Sequence, residues 1–227
     1  MNMPHHSRPA VLLFDVNETL LDLAPLEESI DEVLLENGAS RLWFTTMLQY
    51  SLVLTVGGKY EAFADVGAAT LMMLARNREV MLDLEQAHDA LEPMLKLAPH
   101  RDVLDSLSRL KRSGFRMASL SNSSVAASKS QLEHAGLTPM FERQLSVESV
   151  AKYKPHCEVY QWAAREMQVS EQDCMLVAAH PWDVAGAAWA GMQTAFLERK
   201  GNQPFSLASL PDICASDLHN LADQLLA

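Results

Sequence analysis

Cationic residues are scarce in this chain. Eighteen lysines and arginines stand against 29 aspartates and glutamates, for a formal net charge of −11 over 227 residues and a pI near 5.1. Nucleic acid and anionic membranes recruit proteins through clustered positive charge, so neither is expected as the main partner. A small anionic substrate stays open, provided its pocket carries cations or aimed N–H groups. Cysteine is also sparse. Cys157, Cys174 and Cys214 are odd in number and fall in no metal or redox spacing, so buried thiols in a reducing compartment are expected. No stretch reaches the roughly 18 apolar residues that span a bilayer. The segment Met1 to Pro9 is polar and the apolar run after it is short, which does not match a secretory leader. The expectation is a soluble cytoplasmic protein, with His5-His6 a flexible end rather than a metal site. Internal repeats and low-complexity segments are absent.

What is present is enough apolar residue, 48%, to build a substantial core, and a pattern that changes along the chain. Residues 10–15 read as a short buried strand, bounded by Pro9 and the turn-forming Asn17. Residues 25–97 carry Leu, Met, Ala and Glu at helical spacing, predicting helices near 26–37, 40–56, 60–77 and 84–95. Breaks fall at Asn37-Gly38, at Gly57-Gly58 and around Asn77 to Asp83, and Pro99 closes the block. From residue 100, helices and strands alternate. A helix over 101–113 ends at Gly114, a strand runs from Phe115 to Leu120, and a polar turn spans Ser121 to Ser124. A helix over 125–135 ends at Gly136. Then follow a strand near 144–147, a helix over 156–167, the strand Cys174 to Ala178, a helix from about Trp182, the strand Thr194 to Leu197, a short strand at Ile213-Cys214 and a C-terminal helix.

Alternating strands and helices predict an α/β fold with a Rossmann-like parallel sheet covered on both faces. The helical block after the first strand predicts an inserted all-helical cap, residues 23–97, with residues 1–22 and 98–227 forming the core. Ligands in open α/β sheets sit beyond the carboxyl ends of the strands. Those ends carry Asp15, Ser121-Asn122, Lys154 and the stretch His180 to Asp183. Asp15 can serve as nucleophile or base, Ser121 and Asn122 as donors to an anion. Lys154 can neutralise developing charge, and Asp183 can orient the lysine or a water. Each has an ordinary alternative: a helix cap or turn residue for the aspartates and serines, a solvated side chain for Lys154. Their shared position at strand ends makes the set stronger than its parts.

These residues resemble a known family. Phe14-Asp15-Val16-Asn17-Glu18-Thr19-Leu20-Leu21-Asp22 is similar to the first motif of the haloacid dehalogenase superfamily. Ser121-Asn122, Lys154-Pro155 and the Trp182-Asp183 region are similar to the second, third and fourth. Tyr160 six residues after the lysine, the run Trp182-Asp183-Val184, and the pattern Trp43…Leu48-Gln49-Tyr50-Ser51…Tyr60…Phe63 resemble the type II (L-2-haloacid) dehalogenases. Phosphatases of the superfamily need an acidic residue two places after the nucleophile, where this chain has Asn17. They also need a further carboxylate in the fourth motif, where it has Ala179 and Trp182. Halide departs as a stable anion and needs neither proton nor metal.

The resemblance therefore implies a metal-free and cofactor-free hydrolysis of small 2-haloacids. Asp15 attacks the α-carbon, an aspartyl ester forms, and water placed near Asp183 and Lys154 releases a 2-hydroxy acid. Thr19, Ser121 and backbone N–H groups near residues 16–17 steady Asp15 or the substrate carboxylate, and Lys154 keeps Asp15 ionised. Asn17, Asn122 and Tyr160 fall at substrate-side positions, and Leu48, Phe63 and Trp182 form an apolar wall. The apolar cap helices are compatible with the homodimer that the resemblance implies. Two departures stand out. The cap arginine that receives halide in the type II enzymes falls at Phe44, leaving Arg41, three residues earlier, as the nearest cation on a similar helix face. The polar pair of the fourth motif is replaced by Ala178 and His180, and His180 is read as an active-site group. Two other readings remain: another hydrolase of the superfamily such as a phosphatase, or a homologue that has lost dehalogenase activity.

Overall fold

The computed structural model describes residues 8–227; the His5-His6 pair lies outside them. Six parallel strands form one sheet: β1 (Val11–Phe14), β2 (Arg116–Ser121), β3 (Arg143–Ser146), β4 (Cys174–Ala178), β5 (Gln193–Leu197) and β6 (Ile213–Ala215), in the order β3-β2-β1-β4-β5-β6. Every residue of β1 is fully buried, which is why this strand is a continuous apolar run rather than an alternating one. It pairs with β2 from Val11↔Arg116 to Phe14↔Ser119 and with β4 from Val11↔Cys174 to Phe14↔Val177. The strand order reverses between β1 and β4, so the carboxyl ends of these two strands border the topological switch point where ligands of such sheets bind.

Nine helices accompany the sheet among the described residues. Between β1 and β2 lie α1 (Ala24–Leu34), α2 (Ala39–Val56), α3 (Phe63–Asn77) and α4 (Leu84–Leu91), the last running on into a 3₁₀ turn, Glu92–Lys96. The predicted helix over 84–95 is thus an α-helix for two turns only; Pro93 cannot donate the hydrogen bond that α-geometry needs beyond the first turn. The remaining helices are α5 (Val103–Arg112), α6 (Val125–His134), α7 (Cys157–Glu166), α8 (Pro181–Trp189) and α9 (Leu218–Leu226). Gly114 and Gly136 follow α5 and α6 with φ of +83° and +68°, the left-handed conformation that closes a helix at low steric cost.

The helices α1 to α4 pack on one another. Gly67 lets α3 approach α2 and α4: an added Cβ would meet Leu91 Cδ1 at 3.1 Å and Met47 Sδ at 3.2 Å. The buried Trp43 indole donates to the Gly67 carbonyl at 2.9 Å. The block is tied to the sheet by polar side chains as well as apolar ones. Gln131 on α6, fully buried, donates to Met94 O and to Asn17 Oδ1, both at 2.9 Å. The Tyr153 hydroxyl donates to Glu61 O, and its amide donates to Thr55 Oγ1 at 3.1 Å.

The cysteine expectation needs correction. Cys174 is buried in β4, but Cys157 and Cys214 are exposed. Cys157 opens α7 on its outer side, and Cys214 lies on the edge strand β6 between a half-buried Ile213 and a buried Ala215. No helix among the described residues is long and apolar enough to cross a membrane.

Candidate active site

Asp15 is the first residue past β1, and its amide donates to Val177 O of β4 at 3.0 Å. The chain has just left the strand, so the side chain points off the carboxyl edge of the sheet. Its carboxylate is 2.8 Å from Lys154 Nζ at Oδ1. At Oδ2 it accepts from the Thr19 hydroxyl at 2.6 Å and lies 3.0 Å from His180 Nδ1. Thr19 Oγ1 itself accepts from the Ala179 amide at 2.9 Å, which leaves its proton for Asp15.

Lys154 is 2% exposed, and its ammonium group has an acceptor for each of its three protons. These are Asp15 Oδ1, Asp183 Oδ2 at 2.6 Å and Leu120 O at 3.0 Å. Asn122 Oδ1 accepts the Lys154 amide at 3.1 Å, so Asn122 fixes the backbone that carries the lysine. Asp183, in the first turn of α8, takes its second hydrogen bond from the Tyr160 hydroxyl at 2.6 Å. Gly186, one turn later, leaves room for that hydroxyl: a Cβ there would lie 2.8 Å from Tyr160 Oη and 2.4 Å from Pro155 Cβ.

The charges in this cluster shift one another. Burial raises the Asp15 carboxyl, but the Lys154 charge and the His180 hydrogen bond outweigh it and hold the group far below the usual carboxylate range. Asp15 is therefore ionised at any ordinary pH. At Asp183, burial and the neighbouring Asp15 charge push upward against Lys154 and Tyr160, and the net direction is up. Lys154 is lowered by burial and raised more by its two carboxylates. For His180 burial lowers the imidazole, and Asp15 and Glu18 raise it to about 9.

The His180 environment was only half legible in the sequence. The ring lies between Phe44, with centroids 5.7 Å apart, and Trp182, at 5.0 Å, both in stacked orientation. Nδ1 faces Asp15, and Nε2 lies 2.7 Å from Glu18 Oε2. That second approach is a charge contact whose angles fall outside hydrogen-bond geometry. Glu18 is the residue that sequence reasoning passed over. It has φ of +62°, a conformation that disfavours every residue but glycine. It is held there by His100 Nε2, 2.9 Å from its carbonyl, and by Asn202 Nδ2, which donates to Oε1 at 3.1 Å. Gln131 was likewise missed. A mid-helix Gln has no local signature, and only the tertiary fold brings it to Asn17.

A cavity of about 340 Å³ opens beside this cluster, lined by Phe44, Leu48, His180 and Trp182 with Glu18 and Arg41. Asp15, 5% exposed, does not line this cavity itself; it is next to the lining residue His180, whose Nδ1 is 3.0 Å from Oδ2. The structure thus brings together Asp15, Thr19, Lys154, Tyr160, His180 and Asp183, with Phe44, Leu48 and Trp182 around the cavity. Other predicted residues stand further back. Ser121 Oγ accepts the Ser123 amide at 3.1 Å, Asn17 is held by Gln131, and Asn122 holds the Lys154 backbone. Phe63 borders a second cavity of about 460 Å³ between the helical block and α6. The smaller cavity is the one adjacent to the ionised cluster, because His180 and Trp182 line it. No three His, Cys, Asp or Glu side chains among the described residues are placed so that they could hold a metal ion together.

A Rossmann-like sheet with a buried carboxylate, lysine and second carboxylate at its switch point defines an enzyme class rather than a binding module. A sequence model of the haloacid dehalogenase-like hydrolases matches residues 9–191, and the chain belongs to this family. It is similar to the (S)-2-haloacid dehalogenase of Pseudomonas sp. strain YL, with 31% identity over 203 residues that cover 88% of each chain. It is also similar to haloacetate dehalogenase H-2 of Moraxella sp. strain B, with 29% identity over 88% of this chain and 91% of that one. Among solved structures, the L-2-haloacid dehalogenase RSc1362 superposes with a TM-score of 0.90 at 23% identity, covering 97% of this chain and 100% of that one. That likeness bears on the fold.

Proposed function

We propose that this protein hydrolyses the carbon–halide bond of small 2-haloacids through an ester on Asp15, giving 2-hydroxy acids. The observation that carries this reading is Asp15 itself: a buried carboxylate kept ionised by Lys154 and His180 and hydrogen-bonded by Thr19, next to the cavity that Phe44, Leu48, His180 and Trp182 line. Desolvation strips a carboxylate of the water that normally blunts its attack, and fixed donors orient it. The relatives named as (S)-2-haloacid and haloacetate dehalogenases support the substrate class. Helices α1 to α4 act as the cap: Phe44 and Leu48 reach the cavity from α2 and keep bulk water from the α-carbon. Lys154 then faces the charge that develops on Oδ1 when water adds to the ester, and Asp183 steadies the lysine. Tyr160 and Asn122 are positioning groups, and the apolar cap helices supply the surface for a homodimer.

Asn17 at the position of a phosphatase's general acid favours this reading over phosphoryl transfer. Its side-chain oxygen is engaged by Gln131, and it has no acidic proton to give a leaving alkoxide. The course proposed needs no metal, so halide release should survive a chelator. The direct test is a halide-release assay with both enantiomers of 2-chloropropionate and with chloro- and fluoroacetate. Wild-type protein is expected to release halide from at least one. Asp15→Asn is expected to release it at least about 10³-fold more slowly, since the nucleophile is gone. In ¹⁸O-water over many turnovers, label should enter Asp15; an unlabelled Asp15 after turnover overturns the ester.

A further inference from the structure

The cavity next to His180 has more room than a three-carbon haloacid fills. Its volume of about 340 Å³ falls in the range of pockets that enclose drug-sized ligands. The reacting carbon must meet Asp15, which is buried next to His180 and outside the cavity lining. The cavity itself therefore faces whatever else that carbon carries. Leu23, Leu26 and Leu48 give it apolar wall, and two cations, Arg41 and Lys200, line it as well.

The two cations come from different elements. Lys200 is at the tip of a tight turn, Arg199 to Asn202, closed by the Asn202 amide on Arg199 O at 3.2 Å. Gly201, third in the turn, has φ of +95°, a conformation that glycine supplies there. Both ends of this turn are bolted to the segment that follows Asp15. Arg199 donates to Thr19 O from Nη2 at 3.0 Å and from Nε at 3.3 Å, and it pairs with Asp102 at 3.0 Å. Asn202 Nδ2 donates to Glu18 Oε1 at 3.1 Å. The Lys200 backbone is thus fixed at the cavity. Arg41 lies in the first turn of α2, which has no acidic residue; the helix dipole disfavours a cation there. Neither cation is used by the protein itself: among the described residues, neither side chain makes an ion pair or a hydrogen bond. Two carboxylates share the lining. Glu18 has both oxygens engaged, by Asn202 and by His180. Glu27 is pushed upward by burial and the Glu18 charge, with Arg41 opposing. Arg41, Lys200 and the protonated His180 against Glu18 and Glu27 leave the lining positive, in a chain of net charge −11.

We propose that Arg41 and Lys200 form a subsite for a second carboxylate, so that the substrates suited to this cavity are 2-halo dicarboxylic acids of glutarate to adipate length. This deepens the haloacid reading above and rests on it. The carboxylate on the reacting carbon is one bond from the centre that meets the buried Asp15. Both cations are solvent-exposed, so they receive the far end of the chain. Arg41 can take that carboxylate through two parallel N–H groups, and Lys200 adds a point charge. The methylenes between the two acid groups pack on Leu23, Leu26 and Leu48.

The test is steady-state halide release from 2-chloroadipate, from its neutral 6-amide and from 2-chloropropionate. It compares wild type with Arg41→Gln, Lys200→Gln and the double variant. Both side chains are exposed and unpaired, so the variants are expected to fold. Wild type is expected to favour the diacid over the amide at least about tenfold in kcat/KM, chiefly through KM, with an advantage that shrinks as salt is raised. Each single variant should lose part of that advantage, and the double variant should bring the ratio close to one. A wild type without the advantage overturns the subsite, and so does an advantage that persists in the double variant. If the variants slow diacid and amide alike, the two cations hold the carboxylate on the reacting carbon, and the subsite is again wrong. In all three cases the ester reading stands as long as halide release from any of the compounds depends on Asp15. If none of them releases halide, both fall.

Discussion

At the scale of single residues, the site is a set of buried charges that hold only as a set. Lys154 gives its three protons to Asp15, Asp183 and Leu120 O. Lys154→Met keeps the volume and strands two carboxylates in an enclosed space, which costs about 3–5 kcal/mol when one partner of a buried pair is removed. The variant is expected to lose most of its urea midpoint as well as its activity, and to recover part of its stability at acidic pH, where the carboxylates take up protons. Recovery absent in urea titrations at pH 5 and 8 would contradict the assignment. His180 gives a second pH signature. Its folded-state pKa is raised from 6.5 to about 9, so its stabilising contribution is complete below about pH 6.5 and is lost as pH rises through 9. That difference corresponds to roughly 3 kcal/mol at full effect. Denaturation midpoints should fall between pH 6.5 and 9, and His180→Asn should flatten the decline. Asp15 works in the opposite sense, its contribution being present above its ordinary value and lost only in strong acid.

At the scale of elements, short segments place these residues. Asp15 and Thr19 bracket the turn after β1, and Ala179 to Asp183 cover the end of β4 and the first turn of α8. The approach of α8 to α7 depends on Gly186, because any side chain there would collide with Pro155 and Tyr160. Gly186→Ala is expected to destabilise the fold by about 1–3 kcal/mol through overpacking. It should also lower turnover, because displacing Tyr160 releases one oxygen of Asp183. Thermal melts and initial rates read both, and a variant with wild-type melting and rate would show that α8 has slack. Most of these elements were legible in the sequence. The central strands β1 and β4 are short apolar runs, and the helices carry period-3.6 patterns with glycine stops at Gly114 and Gly136. Boundaries slipped where local geometry departs from the pattern, as where Pro93 converts the end of the fourth helix into a 3₁₀ turn.

For the whole molecule, the arrangement that matters is a helical block set over the switch point of a parallel sheet. Gln131 is one of its polar links. It bridges α6 to Met94 in the block and to Asn17, two residues after Asp15. Gln131→Ala would leave the Asn17 and Met94 oxygens without their donor and open a gap, at a cost of about 2–3 kcal/mol. Because the lost bonds join block to core, KM for the 2-haloacid is expected to rise more than kcat falls. Steady-state kinetics with a thermal melt would reveal the split, and an unchanged KM would place the seating of the block elsewhere.

The sequence by itself determined the fold class and set Asp15 and Lys154 at one edge of the sheet. Strand ends in a parallel sheet converge on one edge whatever the details of packing, so motif residues at four strand ends must meet. It also showed that the cap arginine position holds Phe44. Only the tertiary structure decided what stands in that space. Phe44 from α2 and Trp182 from α8 close on the His180 ring, and the left-handed turn at Glu18 brings a carboxylate to its far nitrogen. These contacts join residues from segments far apart in the chain, and no local periodicity records them. Glu18, to which the sequence reading gave no role, is the second carboxylate that touches the histidine.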